Sequence, residues 1–356
     1  MPKTLFPTLS RLRLAVQIAM LFVTVYGSVI VGNYMADKIS SALPALSCAY
    51  DQMNGGYCML VPTQHIIHHR IGEAVVRAQQ ITFQMVLPLL MTFVSFFAFF
   101  FVLGKTFCGW VCPLGTLQEL IGKLGRRLGF GLRRFEEGDL GGVKRLRPVK
   151  WLILLGLVFV LPLLTGLGVT PHSLGNPFCD ICPSRVATTL LTGNTEQLAL
   201  RLGDNVSFGL GAIANLLVGF VLVGALAIRQ PFCRICPLLA MNAVFQRLSP
   251  MRLKKKMHDN CGKCGICSEA CPMDIPEIAK EEGRKAYHED CTLCGRCAEY
   301  CPQDGTIQIK WGPFALFSSR REYYKRKVKG ELPDGTVKPV KFVRNAARPA
   351  ADSVDA

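Results

Sequence analysis

Four long apolar stretches constrain the fold of this chain more than any other feature of its sequence. They run from Leu14 to Met35, Ile81 to Leu103, Trp151 to Val169, and Val206 to Ile228. Each is long enough to cross a bilayer, which needs about 20 residues of helix. Half of the 356 residues are hydrophobic and only 19% are charged, a composition too apolar for an ordinary soluble protein. The sequence therefore predicts a mainly α fold built on a four-helix transmembrane bundle.

Basic residues between the spans predict which way the bundle faces. The connection from Gly104 to Lys150 holds ten Lys and Arg, whereas the connections from Ala36 to Gln80 and from Thr170 to Asn205 hold three and two. Because basic loops stay on the cytoplasmic side, the ten-charge connection and both termini are expected in the cytoplasm. The net charge of +16 suits an anionic lipid surface, and no nucleic-acid partner is expected.

The spans are predicted to be duplicated helix pairs. The distance from Cys58 to Cys182 is 124 residues, and the distance from Cys112 to Cys236 is also 124 residues. The segments FCGWVCPLGTLQEL and FCRICPLLAMNAVF both place a cysteine pair, a proline and a leucine just after a span. Each half would begin on the cytoplasmic side of the membrane. The sequence therefore predicts parallel repeats, which bring corresponding loops together on each face of the membrane.

The C-terminal part contains the strongest chemical signal. The runs CGKCGICSEACP and CTLCGRCAEYCP each place four cysteines before a proline. In two-cluster bacterial ferredoxins with this spacing, three cysteines bind one 4Fe-4S cluster and the fourth binds the other cluster. This crossed assignment gives one cluster to Cys261, Cys264, Cys267 and Cys301, and the other to Cys271, Cys291, Cys294 and Cys297. Structural zinc does not explain eight cysteines in two copies of this spacing.

These signals divide the chain into three parts. Residues 1–250 are predicted to form the four-span membrane domain, with cysteine pairs at both faces. Residues 251–311 are predicted to form a C-terminal α+β two-cluster bacterial ferredoxin domain in the cytoplasm. Residues 312–356 are expected to be a basic, partly disordered tail.

Four further cysteines are predicted to meet at the cytoplasmic ends of the spans, and we call them the inner-face set. Two come from the loop after the second span and two from the loop after the fourth: Cys108, Cys112, Cys233 and Cys236. Four soft thiolates that face each other favour iron or an iron–sulfur cluster. Structural zinc and free thiols in a reducing compartment are the alternatives.

The remaining cysteines are expected together on the opposite face, and we call them the outer-face set. They are Cys48, Cys58, Cys179 and Cys182. They could hold another cluster, or they could form two disulfides, Cys48 with Cys58 and Cys179 with Cys182, since the outer compartment is oxidising. The sixteen cysteines divide into four sets of four, which slightly favours a cluster over two disulfides in the outer-face set.

Histidines in the first outer loop form a weaker candidate site. His65 and His69 lie one helical turn apart, with His68 between them, so a metal, haem or quinone site is one interpretation. Polar residues on an interfacial helix are favoured, because the sequence shows no second group of histidines or carboxylates to complete a site. Gln84, near the outer start of the second span, could bond a quinone carbonyl, although a single amide more often joins helices.

Several common cofactors have no matching motif. The chain lacks C-x-x-C-H, so covalent c-type haem is not expected. It also lacks a G-x-G-x-x-G segment after a strand and a Walker sequence, so no NAD, FAD or ATP site is expected. The chain is therefore expected to exchange electrons with another kind of redox partner.

Together the motifs resemble a known family. Four spans, the segments CGWVCP and CRICP, and a C-terminal double ferredoxin are similar to the membrane-bound polyferredoxins of the NapH, NosR and MauN type, over about Leu14 to Gln308. The resemblance implies a multi-pass protein of the bacterial inner (cytoplasmic) membrane. It also implies quinol oxidation with electron delivery to periplasmic redox systems, or electron supply for the assembly of copper enzymes. The pair Cys179 and Cys182 and the basic tail depart from the family pattern.

These observations predict an integral membrane iron–sulfur electron-transfer subunit of the quinol dehydrogenase kind. It would hold two 4Fe-4S clusters in the ferredoxin domain and one or two further iron–sulfur clusters. Its expected partners are membrane lipid, a quinone, and a periplasmic redox protein or other subunits of a respiratory complex. A redox maturation factor that supplies electrons for metalloenzyme assembly is the main alternative, and a redox sensor is another.

Overall fold

The computed structural model describes residues 9–31, 60–76, 83–131, 133, 135, 139–193, 195, 198–200, 204–246, 248–256, 261–283, 289–331 and 337. Cys48 and Cys58 of the outer-face set lie outside the described residues. The last nineteen residues of the predicted tail, 338–356, also lie outside them.

Three helices among the described residues are long and apolar enough to cross a membrane: Leu9–Tyr26, Val143–Gly166 and Asn205–Ala227. They coincide with the first, third and fourth predicted spans. A helix of 21 residues, Phe83–Leu103, coincides with the second predicted span. Large apolar side chains on these helices face outward, including Leu152 and Leu216.

The helices of the membrane part are numbered here in chain order. They are α1 (Leu9–Val31), α2 (Leu60–His65), α3 (Glu73–Val76), α4 (Phe83–Leu103), α5 (Pro113–Arg127), α6 (Val143–Ile153), α7 (Leu161–Gly166), α8 (Pro177–Ile181), α9 (Pro183–Leu191), α10 (Asn205–Ala227) and α11 (Pro237–Gln246). The π-helical segment Ile66–Gly72 joins α2 to α3, and the π-helical segment Leu154–Val160 joins α6 to α7. A π-helical turn covers Phe107–Val111, and 3-10 turns cover His172–Leu174 and Phe232–Arg234.

Two spans begin earlier than the hydropathy of the sequence predicts. α1 begins at Leu9 and α6 at Val143. The added turns carry basic side chains that are buried in ion pairs within the protein: Arg13 with Glu119, and Lys150 with Asp290. Hydropathy counts these residues as hydrated, so it places the helix ends too late.

The ferredoxin domain contains a three-stranded antiparallel sheet in the order β1-β2-β3. Its strands are β1 (Met251–Lys255), β2 (Ile307–Trp311) and β3 (Phe314–Ser318). Alternate residues of β1 and β2 are buried, as a period of two requires. Short helices complete the domain: α12 (Cys261–Cys264), α13 (Ile266–Ala270), a 3-10 turn (Pro276–Ala279) and α14 (Arg296–Glu299).

The first part of the predicted tail packs onto this domain. β3 pairs with β2, and Arg321 N donates to Asp304 Oδ1 at 2.6 Å at the start of α15 (Arg321–Tyr324). A π-helical segment, Lys325–Lys329, follows α15, and Lys327 lies 3.5 Å from the Glu299 carboxylate. The sheet and its flanking helix therefore continue past residue 311.

The ferredoxin domain packs against one end of the helix bundle. Asp290 and Glu289 contact Lys150 at the start of the third span, and Asp274 pairs with Arg234 at 2.5 Å after the fourth span. The third span runs away from this contact and ends at Gly166. We call the end of the bundle at Gly166 the distal end.

Candidate functional site

The eight ferredoxin cysteines lie on loops and short helices beside the sheet. Gly265 and Gly295 follow the second cysteine of each motif and have φ of 60° and 75°. This conformation is one that glycine adopts without steric cost. Each turn leads into the short helix that carries the third cysteine, Cys267 or Cys297.

The fourth cysteine of each motif lies near the other motif. Burial raises the pKa of the Cys271 thiol, and the neighbouring Cys294 and Cys291 raise it further. Burial also raises the pKa of the Cys301 thiol, and the neighbouring Cys261 adds to the effect. These neighbours are the ones that a crossed arrangement of ligands requires.

The structure brings the inner-face set together. Cys108 lies in the π-helical turn after α4, Cys112 directly precedes α5, and the other two lie in and after the 3-10 turn that follows α10. Burial raises the pKa of the Cys236 thiol, and Cys233, Cys112 and Cys108 all raise it further. All four sulfurs are therefore close enough for their charges to interact.

Two amide side chains contact this set. Gln118 Nε2 lies 3.7 Å from Cys233 Sγ, and Gln118 Oε1 accepts a hydrogen bond from Phe232 N at 3.1 Å. Asn242 Nδ2 donates to Cys108 Sγ at 3.5 Å. Hydrogen bonds to ligating sulfurs tune the reduction potential of an iron–sulfur cluster. Both amides are in position to do so.

The π-helical turn that carries Cys108 lies directly on the Cys291–Cys294 loop of the ferredoxin domain. Trp110 Nε1 donates to Leu293 O at 3.1 Å. A Cβ atom on Gly109 would lie only 2.4 Å from Thr292 O, so this approach requires glycine. The inner-face set and one ferredoxin cysteine loop are thus in direct backbone contact.

Lys105 is buried between these two cysteine groups. Its side chain is 1% exposed, and its Nζ donates to Glu289 O. Burial lowers the pKa of Lys105 to about 8, although the nearby Cys291 and Cys108 raise it. A cation at this position stabilises added negative charge on either cysteine group.

Two cysteines of the outer-face set are described. Cys179 is buried in α8, Cys182 follows α8, and the two are not joined to each other in a disulfide. Gln64 Nε2 donates to Cys179 Sγ at 3.0 Å, and Gln64 Oε1 accepts from Phe178 N at 3.3 Å. Burial raises the pKa of the Cys179 thiol.

This arrangement repeats the one around Gln118. The segments PFCDICP, from Pro177, and PFCRICP, from Pro231, lie 54 residues apart. Gln64 and Gln118 are also 54 residues apart, and each follows a cysteine by six residues. Each glutamine also donates to the carbonyl four residues before it. The sites around Cys179 and around Cys233 therefore share one local construction.

The histidines of the first outer loop lie at the distal end. The His65 and His69 ring centroids are 4.5 Å apart, and His69 Nδ1 lies 2.7 Å from Glu73 Oε1. The His172 ring, from the loop after the third span, lies 4.5 Å from the His68 ring. The structure thus supplies the additional histidine and carboxylate that the sequence analysis did not expect. Gln84 has an exposed side chain near the start of α4.

Comparison with known families finds iron–sulfur domains in both parts of the chain. A family model described as a 4Fe-4S binding domain matches residues 85–131 and 210–256, once around each inner-face cysteine pair. A family model described as a 4Fe-4S dicluster domain matches residues 260–307. Both cysteine-rich parts of the chain are therefore similar to iron–sulfur domains.

Curated relatives give the same result. YccM of Escherichia coli (strain K12) is 30% identical over 188 residues, and the ferredoxin-type protein NapH of Haemophilus influenzae is 30% identical over 177 residues. The regulatory protein NosR of Pseudomonas aeruginosa is 30% identical over 167 residues. The predicted resemblance to proteins of the NapH and NosR type is confirmed.

The matches to these relatives are partial. They cover 51%, 49% and 46% of this chain for YccM, NapH and NosR. The chain spans about half the length of YccM and NapH, at 45% and 50%, and 20% of NosR. No solved structure matches the chain.

Several residues of these sites were missed in the sequence analysis. The glutamines Gln64 and Gln118 carry a readable signal, because the segments PFCDICP and PFCRICP repeat at the same 54-residue spacing. No sequence signal identifies Asn242 or Lys105, because their roles depend on contacts with distant segments. His172 is a single histidine far along the chain from His68, so only the packing of the helices reveals it.

Proposed function

We propose that this chain is an integral membrane iron–sulfur electron-transfer subunit that exchanges electrons with the quinone pool and with a redox partner on the outer face. Its spans would lie in a bacterial inner membrane, with both termini and the ferredoxin domain in the cytoplasm. Exposed apolar side chains along the spans support contact with lipid, including Leu152 at 71% and Leu216 at 75% exposed. Other subunits of a respiratory complex are further candidate partners.

One observation carries this proposal: the inner-face cysteines lie directly against a ferredoxin cysteine loop. Gly109 and Trp110 make the contact with Thr292 and Leu293. The rate of electron tunnelling falls steeply with distance, so two clusters held across such a contact would exchange electrons rapidly. The crossed assignment places the cluster of Cys271, Cys291, Cys294 and Cys297 at this contact.

The family-model matches support a cluster rather than zinc in the inner-face set. A model described as a 4Fe-4S binding domain matches once around Cys108 and Cys112 and once around Cys233 and Cys236.

The repeated construction around Cys179 supports a further cluster in the outer-face set. Gln64 contacts Cys179 as Gln118 contacts Cys233, at 3.0 and 3.7 Å. Two disulfides would give no role to this amide. We therefore favour four 4Fe-4S clusters, with Cys48 and Cys58 as the remaining ligands of the outer-face cluster.

A quinone would connect the two ends of the bundle. The third span places about 24 Å between Lys150 and Gly166, at 1.5 Å per helical residue, so direct tunnelling between the faces would be slow. His65 and Gln84 have exposed side chains near the distal end. Either could donate a hydrogen bond to a quinone carbonyl.

Turnover in proteoliposomes tests this function. Quinol analogue in the bilayer should reduce the clusters, and a membrane-impermeant oxidant on the distal side should reoxidise them continuously. A Cys179→Ala/Cys182→Ala variant should lose about four iron atoms per chain and the delivery of electrons to the oxidant. A single reduction without sustained flux would instead support a maturation factor. Unchanged iron content, with thiols that alkylate only after reduction, would support disulfides in the outer-face set.

A further inference from the structure

Three histidines and a glutamate converge at the distal end of the bundle, outside the cysteine sites. The ligand atoms of His68, His69, Glu73 and His172 all lie within 4.8 Å of one another. The first three lie on the continuous helical segment from Leu60 to Val76, whereas His172 comes from the 3-10 turn after the third span. Two separate parts of the chain thus contribute to one group.

The buried member of this group lacks hydrogen-bond partners. His68 is 2% exposed, and neither of its ring nitrogens has a partner among the described residues. Its ring centroid lies 3.9 Å from that of His69 and 4.5 Å from that of His172. Burial of an unbonded polar ring is unfavourable unless something else binds its nitrogen. A metal ion among the three imidazoles would meet this requirement.

The backbone around His68 is shaped to hold its ring in place. A Cβ atom on Gly175 would lie 2.4 Å from His68 Nδ1, and a Cβ atom on Gly166 would lie 2.4 Å from His68 O. Gly72 packs equally closely on Gly166, where a Cβ atom on Gly72 would lie 2.5 Å from the Gly166 Cα. These contacts fix the helical segment of His68 and His69 against the end of the third span.

Glu73, the fourth member of the group, is positioned to orient His69. Glu73 Oε1 lies 2.7 Å from His69 Nδ1. A carboxylate that bonds one ring nitrogen fixes the tautomer of the histidine and leaves the other nitrogen for a metal, an arrangement common in metal sites. Three imidazole ligands with an open fourth position are typical of zinc and also suit copper, iron and nickel.

We propose that His68, His69 and His172 bind a divalent first-row transition-metal ion at the distal end, with Glu73 orienting His69. The exposed His172 leaves the open coordination position accessible from outside the bundle. This site is independent of the proposed electron transfer, because its ligands are none of the sixteen cysteines. Its test therefore succeeds or fails separately from that function.

Zinc binding to the full chain tests the proposal. Cluster-loaded protein, purified in detergent without oxygen and treated with a mild chelator, is titrated with Zn²⁺ alone. We expect one additional zinc per chain. X-ray absorption at the zinc edge should show nitrogen or oxygen neighbours at about 2.0–2.1 Å, and no sulfur shell near about 2.3 Å. A sulfur shell, or no uptake, would overturn the proposal.

Matched variants identify the ligands. His172→Ala changes an exposed residue and should weaken zinc binding at least about tenfold without affecting iron content. Glu73→Gln should weaken binding by about 10–100-fold, as loss of an orienting carboxylate does. Glu322→Gln, in α15 of the ferredoxin domain, is the matched control for Glu73→Gln and should bind zinc like the wild type. Equal binding by His172→Ala and the wild type would overturn the assignment.

Discussion

Where the ferredoxin domain packs against the helix bundle, single residues carry charges that are nearly inaccessible to solvent. Glu119 is 8% exposed and pairs with Arg13 at 2.6 Å and with Arg296 at 2.7 Å. Burial alone would raise the pKa of Glu119, but Arg296 and Arg13 hold it well below its usual range. Glu119 therefore stays ionised, and it links α1 and α5 to the ferredoxin domain.

Removing this carboxylate should loosen the ferredoxin domain. Glu119→Gln leaves two buried guanidinium groups without their counter-charge, which costs about 3–5 kcal/mol. The free energy of unfolding in urea, followed by tryptophan fluorescence, should fall by this amount. Glu331→Gln is the control, because its pair with Lys325 is exposed at 3.5 Å and contributes less than about 1 kcal/mol. Equal effects of the two variants would contradict the role of Glu119.

The crossed ligand assignment can be tested by combining single-residue changes. Cys271→Ala should remove one cluster, or about four iron atoms. Adding Cys291→Ala should remove no more iron, because both residues bind the same cluster. Adding Cys261→Ala to Cys271→Ala should remove about eight iron atoms in total. The reverse pattern of iron loss, measured by iron analysis, would show that each motif binds its own cluster.

At the scale of elements, the π-helical turn Phe107–Val111 couples the bundle to the ferredoxin domain. Gly109→Ala should push this turn away from the Cys291–Cys294 loop, because its Cβ would lie 2.4 Å from Thr292 O. The magnetic coupling between the inner-face cluster and its ferredoxin neighbour, measured by EPR, should weaken. Gly131→Ala, where nothing lies within 4 Å, is the control. Unchanged coupling in Gly109→Ala would show that this turn does not set the distance between the two clusters.

The sequence predicts elements better than it predicts the contacts between them. The apolar runs locate the helices, and cysteine spacing locates the ferredoxin loops, because both signals are local. No local signal predicts that α1 starts at Leu9, because Arg13 is buried through its pair with the distant Glu119. The same holds for His172, which meets His68 only because Gly72 and Gly166 bring their segments into contact.

At the scale of the whole molecule, the chain orders its candidate sites along the spans. The ferredoxin domain and the inner-face set lie at one end, where Asp290 meets Lys150. The histidine group lies at the distal end, whereas Cys179 lies between the two ends, where α8 packs against Leu154–Val160 of the third span. Electrons that enter at one end would reach the other through the proposed cluster at Cys179 and the proposed quinone.

The central claim is that the inner-face set holds a cluster beside the ferredoxin clusters. Iron analysis of the full chain purified without oxygen tests it most directly, when compared with a Cys108→Ala/Cys236→Ala variant. The wild type should hold about four more iron atoms per chain than the variant, with the ferredoxin signals present in both. Equal iron content in the two proteins, at about eight atoms or fewer, would contradict the claim.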